Sequence, residues 1–378
     1  MHLKNFMTWF SCALVTGALT LACSSGDEGS DEPTVDVTVR GAYQVGIRTS
    51  SLTYTPEGLN SERSLRVVVW YPTNATEGDR GSYLGLGEAL FDAPLVEERQ
   101  FPILLYSHGT TSFAECAYDL MEFFASHGFV VASADHSGDT TADRDTPRTT
   151  EMFVQRPQDV SALLDWLYAL PSDDPLSGRL TEDVALAGHS YGGWNVFATV
   201  GADYNDDVID GCESDSSGAL CSNMTPEFAT ILKTGFKDER FKVVIPMAPG
   251  NASLVGPSGL DNVDIPILLM TSTLDRNNPN DVDGDPYWAA MNREDALRVN
   301  YDKGGHHSYI LTCELSPVIA LENGGGCEDA NTDFRTLLEA TNVYSMAFAR
   351  YHLFGDQAML PILQGQASTY EDVTITQK

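Results

Sequence analysis

The sequence has little positive charge. Its 378 residues include 22 lysines and arginines against 54 aspartates and glutamates, a formal net charge of −32 at pH 7. Nucleic acids are bound by basic surfaces, so this composition excludes a nucleic-acid partner. The acidity is typical of a well-solvated surface and does not by itself specify a substrate.

Zinc-type clusters and internal repeats are also missing. No C-x-x-C pair and no cluster of histidines and cysteines has the spacing of a zinc site. Residues 281–285 (Asp-Val-Asp-Gly-Asp) faintly suggest calcium, but the sixth-position glycine and the closing glutamate of an EF-hand loop are absent. We interpret this stretch as a solvated loop, with calcium as the alternative, and expect no metal and no other cofactor.

No apolar run is long enough for a membrane-spanning helix. The apolar residues 9–22 follow Lys4 and are too short to span, which predicts a secretory signal over residues 1–22. Residues 19–23 (Leu-Thr-Leu-Ala-Cys) resemble the end of a bacterial lipoprotein signal, with Cys23 as the lipid attachment site. Residues 23–34 are polar and predict a flexible tether before a folded domain over 35–378.

An exported protein with this leader would be lipid-anchored in the bacterial cell envelope, at the outer membrane, or secreted. Membrane contact is expected only through the anchor, and a plain secreted protein is the alternative. Export also allows disulfides. We expect Cys212 to pair with Cys221, and Cys313 with Cys327, since each pair brackets a loop, although spacing does not fix connectivity. Cys116 is left over and is interpreted as a buried thiol.

The strongest motif is Gly-His-Ser-Tyr-Gly at residues 188–192, which fits G-x-S-x-G. Residues 184–187 before it predict a strand buried on both faces, and residues 194–200 after it predict an apolar helix. This context predicts a nucleophile elbow, in which Ser190 occupies a strained turn and the glycines leave room for neighbouring chains. An ordinary strand-to-helix turn is the alternative.

An enzyme built on such an elbow needs an upstream oxyanion donor and, downstream, an acid and then a histidine. The backbone N–H groups of Thr110 and Tyr191 are the candidate oxyanion donors, because Thr110 follows a buried strand at the expected distance before the elbow. Asp275 follows a later strand and is the candidate acid. His306 follows the last predicted strand and is the candidate base for Ser190.

Several neighbours compete for these roles. Asp281, Asp283 and Asp285 are rival acids. His307 adjoins His306, but two glycines precede His306 and would let the loop curl its side chain onto the serine. His108 lies at the turn beside Thr110, where a histidine more often braces the loop than takes part in catalysis.

Strands alternate with helices along the chain. Strands are predicted at 35–49, 65–71, 101–107, 129–134, 184–187, 241–246, 265–271 and 297–301, and helices at 115–127, 157–170, 226–234 and 333–354. This order predicts an α/β fold with a mainly parallel sheet covered by helices on both faces. Residues 73–100 are a long surface loop, and residues 202–239, with the Cys212–Cys221 pair, are a candidate lid insertion.

Residues 66–73, 107–109, 134–140, 188–193 and 305–309 together resemble a known family. It is the secreted α/β-hydrolase family that includes bacterial "predicted dienelactone hydrolase" lipoproteins and platelet-activating-factor acetylhydrolase, with cutinase-like polyester-cleaving enzymes more distantly related. The resemblance implies an α/β-hydrolase fold and ester hydrolysis. True dienelactone hydrolases use a cysteine nucleophile, so Ser190 argues against dienelactones. In related enzymes an aromatic residue commonly follows the catalytic histidine. The resemblance therefore implies that His306 is the catalytic histidine and that His307 occupies the aromatic position.

The expected function is therefore that of a serine carboxylic-ester hydrolase, working through an acyl-enzyme on short-acyl or polyester-like esters. We expect a monomer whose partners are small-molecule or polymeric esters. Four side chains near the candidate catalytic residues could line an acyl pocket or belong to the core: Phe113, Trp194, His307 and Tyr309. A serine peptidase on the same scaffold and a non-catalytic surface lipoprotein are the alternative functions.

The leader generates a first prediction. Because Cys23 is the expected acylation site, Cys23→Ala should release the protein from membrane fractions or block its maturation. Fractionation of cells expressing either form, followed by immunoblotting, measures this. A variant that matures and fractionates like the wild type would contradict the lipid anchor.

Overall fold

A computed structural model describes residues 35–81, 86–97, 99–143, 146–315, 325–328, 330–367 and 370–378. The expected signal peptide, Cys23 and the tether lie outside these residues. Within the described ranges, no helix combines the length and the apolar character needed to cross a membrane.

The described strands form one mixed sheet. They are β1 (Gln44–Tyr54), β2 (Arg63–Thr73), β3 (Leu90–Phe91), β4 (Phe101–Ser107), β5 (Val130–Ala134), β6 (Leu180–His189), β7 (Phe241–Met247), β8 (Ile267–Ser272), β9 (Ala296–Tyr301) and β10 (Val373–Gln377). Their order is β10-β9-β8-β7-β6-β4-β5-β2-β1-β3. The strands from β9 to β5 in this order are parallel, and β10, β2 and β1 join antiparallel at the margins. The strand that precedes Ser190 is therefore near the middle.

Helices cover both faces of this sheet. They are α1 (Tyr118–Ser126), α2 (Thr150–Tyr168), α3 (Tyr191–Thr199), α4 (Asp206–Gly211), α5 (Pro226–Thr234), α6 (Ala252–Val255), α7 (Asp285–Ala290), α8 (Thr312–Leu315), α9 (Phe334–Phe354) and α10 (Leu360–Leu363). Leu186 of β6 packs in the cluster beneath α2 and α3, whereas Ala185 and Ala187 face the cluster beneath α1 and α9. Because strand side chains alternate, β6 is buried on both faces. This architecture is the α/β-hydrolase fold that the sequence predicts.

Two prolines lie inside elements, whereas the sequence predicts an element boundary at each of them. The predicted strand 65–71 ends before Pro72, but β2 continues through this proline, which pairs with Val45 of β1. The partner on the other side, β5, pairs only with residues 67–70, so Pro72 occupies an edge position where a missing N–H is tolerated. The predicted helix 157–170 begins at Pro157, but α2 begins at Thr150 and contains this proline in its interior. The Phe153 carbonyl, which Pro157 cannot bond, accepts the hydroxyl of Tyr204 at 3.3 Å.

Both expected disulfides, Cys212–Cys221 and Cys313–Cys327, are present. Cys116 is a buried free thiol, as expected, and burial raises its pKa to about 11. The predicted helix over 226–234 coincides with α5. The segment 202–239 therefore consists of two short helices joined through a disulfide loop, and its role as a lid remains a prediction.

The N-terminal strand begins later than expected, at Gln44, and two strands were not predicted. These are β3, within the predicted loop 73–100, and β10 near the C-terminus. Most β10 side chains are at least partly exposed on both faces. Its sequence therefore lacks the buried alternation from which strands are predicted.

Candidate active site

Ser190 lies on the turn between β6 and α3 in a conformation that non-glycine residues rarely adopt, with φ 58° and ψ −120°. Such backbone strain costs on the order of 1–3 kcal/mol, so the surroundings must enforce it. The Ser190 N–H donates to the carbonyl of Met247 in β7 at 2.9 Å, and its carbonyl accepts the N–H of Trp194 at 3.1 Å. One hydrogen bond fixes the turn to the sheet and the other to the helix.

The glycines of the motif are required by close backbone contact. A Cβ on Gly192 would overlap the carbonyl oxygens of Ser107 and His108, and one on Gly188 would overlap the carbonyl of Gly192. A Cβ on Gly109 would lie 3.2 Å from the Ser190 Cβ. The end of β4 therefore touches the serine turn directly, which brings the Thr110 loop beside Ser190.

The structure brings the three predicted catalytic side chains together. Ser190 Oγ is 2.9 Å from His306 Nε2, and His306 Nδ1 is 2.8 Å from Asp275 Oδ2. The other oxygen of Asp275 accepts the N–H groups of Asn277 and Asn278, both at 2.8 Å. A carboxylate at Nδ1 favours the tautomer that carries hydrogen there, which leaves the Nε2 lone pair facing the serine hydroxyl.

The loop that carries His306 is held from two sides. The buried His189 Nε2–H donates to the His306 carbonyl at 2.7 Å, and the His307 N–H donates to the Gly325 carbonyl at 2.7 Å. A Cβ on Gly305 would overlap the Gly326 backbone, which directly precedes the disulfide residue Cys327. The glycine before His306 is thus needed for tight packing, whereas the sequence had suggested a need for flexibility.

The His307 ring, unlike that of His306, hydrogen-bonds neither Ser190 nor Asp275. Both of its ring nitrogens are buried without a hydrogen-bond partner among the described residues, and its ring centre is 5.1 Å from that of His306. Burial and the neighbouring His306 lower the pKa of His307 to about 3, so this ring is neutral. A neutral ring without polar contacts has the character of the apolar wall that the sequence assigns to this position.

The loop with the second candidate oxyanion donor, Thr110, is clamped by a buried ion pair. Arg156 of α2 donates to Asp139 Oδ2 at 2.9 Å and also to the His108 carbonyl. Asp139 in turn accepts the Thr111 N–H at 3.0 Å. The pair thus holds the backbone on both sides of Thr110. The other candidate donor, Tyr191, begins α3, so its N–H has no carbonyl partner within the helix.

A second Ser–His–Asp arrangement lies beneath the same loop. Ser107 Oγ is 2.9 Å from His136 Nε2, and His136 Nδ1 is 2.8 Å from Asp159 Oδ2. All three residues are buried, so no substrate reaches this set. His108 joins it by accepting the His136 N–H at Nε2, 3.0 Å away. His108 therefore braces the loop through both ring nitrogens, the role that the sequence favours for it.

Sequence reasoning missed most of these supporting side chains. Arg156 and Asp159 lie in α2, four residues before Val160 and Leu163 respectively, two apolar residues that are buried in the core. Residues four apart share a helix face, so this spacing already marked both charges as buried. Asn195, which donates to Ser107 Oγ at 3.0 Å, had no comparable signal.

Two of the four possible pocket residues lie in the core instead. Trp194 is fully buried and stacks on Tyr191, with ring centres 4.7 Å apart. Tyr309 is buried, stacks on Tyr301 and bonds Ser272 through its hydroxyl at 2.7 Å. Both side chains are therefore part of the buried core. Phe113 is half-buried and packs against the core beneath α1.

The rival acids have other partners. Asp283 accepts the Ala252 N–H at 2.9 Å, and Asp285 pairs with Arg298 at 2.6 Å. Asp281 is exposed. Within the part of the chain that the structure describes, no three acidic, histidine or cysteine side chains converge as a metal site.

Comparison with known proteins adds two findings. A family model described as Chlorophyllase matches residues 88–209, which include the Thr110 loop and Ser190 but neither Asp275 nor His306. Platelet-activating factor acetylhydrolase from Cavia porcellus is 25% identical over a region that covers 30% of this chain and 35% of that protein. The chain is thus similar to about a third of this relative. Both similarities point towards hydrolases.

The buried histidines generate a prediction for stability. Burial holds the pKa of His108 and His189 well below the usual range, and that of His136 and His307 at about 4 and about 3. Below about pH 6.5 the unfolded chain binds protons that the folded chain does not, so the free energy of unfolding should fall from pH 6.5 to pH 5. Urea unfolding at a series of pH values measures this slope.

His307→Phe provides the control for that slope, because the His307 ring makes no hydrogen bond to the part of the chain that the structure describes. The variant should lose the contribution of one proton, up to about 1.4 kcal/mol per pH unit below pH 6. An unchanged slope would mean that His307 titrates in the folded protein as it does in the unfolded chain.

Proposed function

We propose that this protein is a serine carboxylic-ester hydrolase with Ser190 as nucleophile, His306 as general base and acid, and Asp275 as the orienting carboxylate. The observation that carries the proposal is the continuous pair of hydrogen bonds from Ser190 through His306 to Asp275, at 2.9 and 2.8 Å. The strained turn at Ser190 supports it, because strain of this kind is typical of functional positions.

In the proposed reaction, Ser190 Oγ attacks the ester carbonyl carbon while its proton passes to His306 Nε2. The carbonyl oxygen becomes an oxyanion, which the N–H groups of Tyr191 and Thr110 stabilise. Collapse of this intermediate breaks the bond to the alcohol, and the alcohol leaves with the proton from His306. Water then attacks the acyl-enzyme, with His306 as base again, and releases the carboxylic acid and Ser190.

The comparisons support this reaction class. The name of the guinea-pig relative specifies hydrolysis of an acetyl group, and the aligned part spans only 35% of that protein. The Chlorophyllase match includes the nucleophile and the loop of the oxyanion donors. We further propose that the chain belongs with the secreted dienelactone-hydrolase-like and acetylhydrolase-like enzymes, on the motifs at 107–109, 188–193 and 305–309.

Replacement of the nucleophile tests the mechanism. Ser190→Ala should lower kcat by about 10⁴-fold or more, because the whole triad acts through this oxygen. The wild type should react with a fluorophosphonate probe at Ser190, read by peptide mass spectrometry, and the variant should not. Labelling of a different serine, or of none, would contradict the proposed nucleophile.

The two adjacent histidines form a matched pair of variants. His306→Ala should approach the Ser190→Ala defect, and the double variant should be little worse, since triad members act as one unit. His307→Phe should lower kcat/KM by no more than about tenfold, or about 1.4 kcal/mol in the barrier. If His307→Phe is the crippling change while His306→Ala keeps substantial activity, the roles must be exchanged.

The same preparations separate the alternative functions. Hydrolysis of chromogenic short-chain esters without hydrolysis of peptide anilides fits the proposal. Preferential cleavage of the anilides would indicate a serine peptidase. Turnover of neither substrate, without probe labelling, would indicate a non-catalytic protein.

We propose a preference for short acyl chains. A long-chain lipase needs a large apolar lid face, whereas α4 buries only Ile209 and α5 only Phe228 and Leu232, all three within the core. The Cys212–Cys221 disulfide further restrains the loop between these helices. In a series of 4-nitrophenyl esters, kcat/KM should fall from butyrate to palmitate. Faster turnover of palmitate would contradict this preference.

The proposed cellular setting is outside the cytoplasm. Two disulfides in the described chain favour an exported protein, because such bonds persist in oxidising compartments. Lipidation at Cys23, a tether over 23–34 and a single catalytic domain from residue 35 complete the proposed organisation. In this arrangement a monomer acts on ester substrates at the cell surface, with no nucleic-acid partner and no cofactor.

A further inference from the structure

Among the described residues, no carboxylate pairs with Arg148, whose positive charge lies beside the proposed oxyanion site. Its side chain is exposed and donates from Nη1 to Thr110 Oγ1 at 3.1 Å. Most arginines of the described chain pair with a carboxylate, whereas Arg148 forms no ion pair with any described residue. A guanidinium has five N–H donors, and one hydrogen bond to a neutral hydroxyl leaves the others available.

The guanidinium contacts the side chains of both residues proposed as oxyanion donors. Its central carbon lies 5.3 Å from the ring centre of Tyr191, a cation–π contact that adds to the bond with Thr110. Tyr191 directly follows Ser190, and Gly109, which directly precedes Thr110, is in contact with Ser190. Arg148 is thus fixed by the same two residues whose N–H groups are the proposed oxyanion donors.

Neither Asp139 nor Asp143 forms an ion pair with the Arg148 guanidinium. Asp139 is committed to Arg156 and to the Thr111 N–H. Asp143 accepts the Gly138 N–H and the Thr140 hydroxyl. A chain with a net charge of −32 repels an anionic substrate at long range. A cation at the site that is not paired with a described carboxylate would attract the anionic group of such a substrate locally.

We propose that Arg148 forms an anion-binding subsite and that the preferred esters carry a carboxylate or phosphate group a few bonds from the scissile carbonyl. This inference rests on the proposed ester hydrolysis at Ser190 and adds the substrate class. An anionic group would bond the free guanidinium N–H groups bidentately, in the geometry that arginine favours for both carboxylate and phosphate.

The test uses pairs of esters that differ only in charge. The first pair is 4-nitrophenyl butyrate and 4-nitrophenyl hemisuccinate, with the anion on the acyl side. The second pair is monobutyrin and the butyrate ester of glycerol 3-phosphate, with the anion on the alcohol side. Each is assayed with the wild type, with Arg148→Gln, which keeps a donor for Thr110 but removes the charge, and with Arg148→Lys.

Arg148→Gln should lower kcat/KM for at least one anionic ester by about five- to tenfold, while its neutral partner changes less than about twofold. The kcat/KM of Arg148→Lys on the anionic esters should lie between the values of the wild type and Arg148→Gln. Added NaCl should reduce the difference between the wild type and Arg148→Gln on these esters. Lys242→Gln is the matched control, because it removes an exposed positive charge at the start of β7, the end of the strand remote from Ser190. It should leave unchanged, in both pairs, the ratio of kcat/KM for the anionic ester to kcat/KM for the neutral ester.

The outcomes are distinct. Equal losses on neutral and anionic esters would show that Arg148 only positions Thr110, and unchanged ratios in both pairs would show that it binds no anion. Either result overturns the inference and leaves the ester hydrolase intact. If the wild type turns over none of the four esters and Ser190 resists the fluorophosphonate, the proposed function fails and the anion subsite fails with it.

Discussion

The close approach of three backbone segments at Ser190 is the constraint on which the site depends. The turn after β6 touches the end of β4 through Gly192 and is bonded to β7 through the Met247 carbonyl. No side chain larger than hydrogen fits at this contact, so the serine turn and the Thr110 loop share one rigid arrangement. The strained conformation of Ser190 persists because the sheet holds it from both sides.

The buried ion pairs also hold the backbone beside Ser190 in place. The chain has few cations, yet Arg156 is fully buried against Asp139, and Arg63 pairs with the buried Asp159. Buried ion pairs recover little net stability, because desolvating both charges offsets their attraction. Their value here is positional, since both pairs reach the segment from Ser107 to Thr111 that lies against the serine. The neutral buried histidines His108 and His136 bridge the same segment without adding charge.

The similarities to known proteins and the geometry support different halves of the site. The family match ends at residue 209, so it covers the serine turn and the oxyanion loop but not the strands that carry the acid and the base. Asp275 and His306 are supported by their hydrogen-bond geometry. The His189 contact and the Cys313–Cys327 disulfide hold the loop that carries His306.

The sequence by itself determined the order of strands and helices, the serine turn and a short set of candidate residues. These features depend on hydrophobic periodicity and glycine spacing, which act over a few residues. Only the tertiary structure showed that His306 rather than His307 hydrogen-bonds Ser190, that Asp275 rather than its rivals hydrogen-bonds His306, and that Trp194 and Tyr309 are buried in the core. The direction of a loop side chain is set by remote contacts, such as the bond from His189 to His306, 117 positions apart. Local sequence patterns carry no record of such contacts, so the spacing in α2 marks Arg156 as buried but does not name its partners at the Thr110 loop.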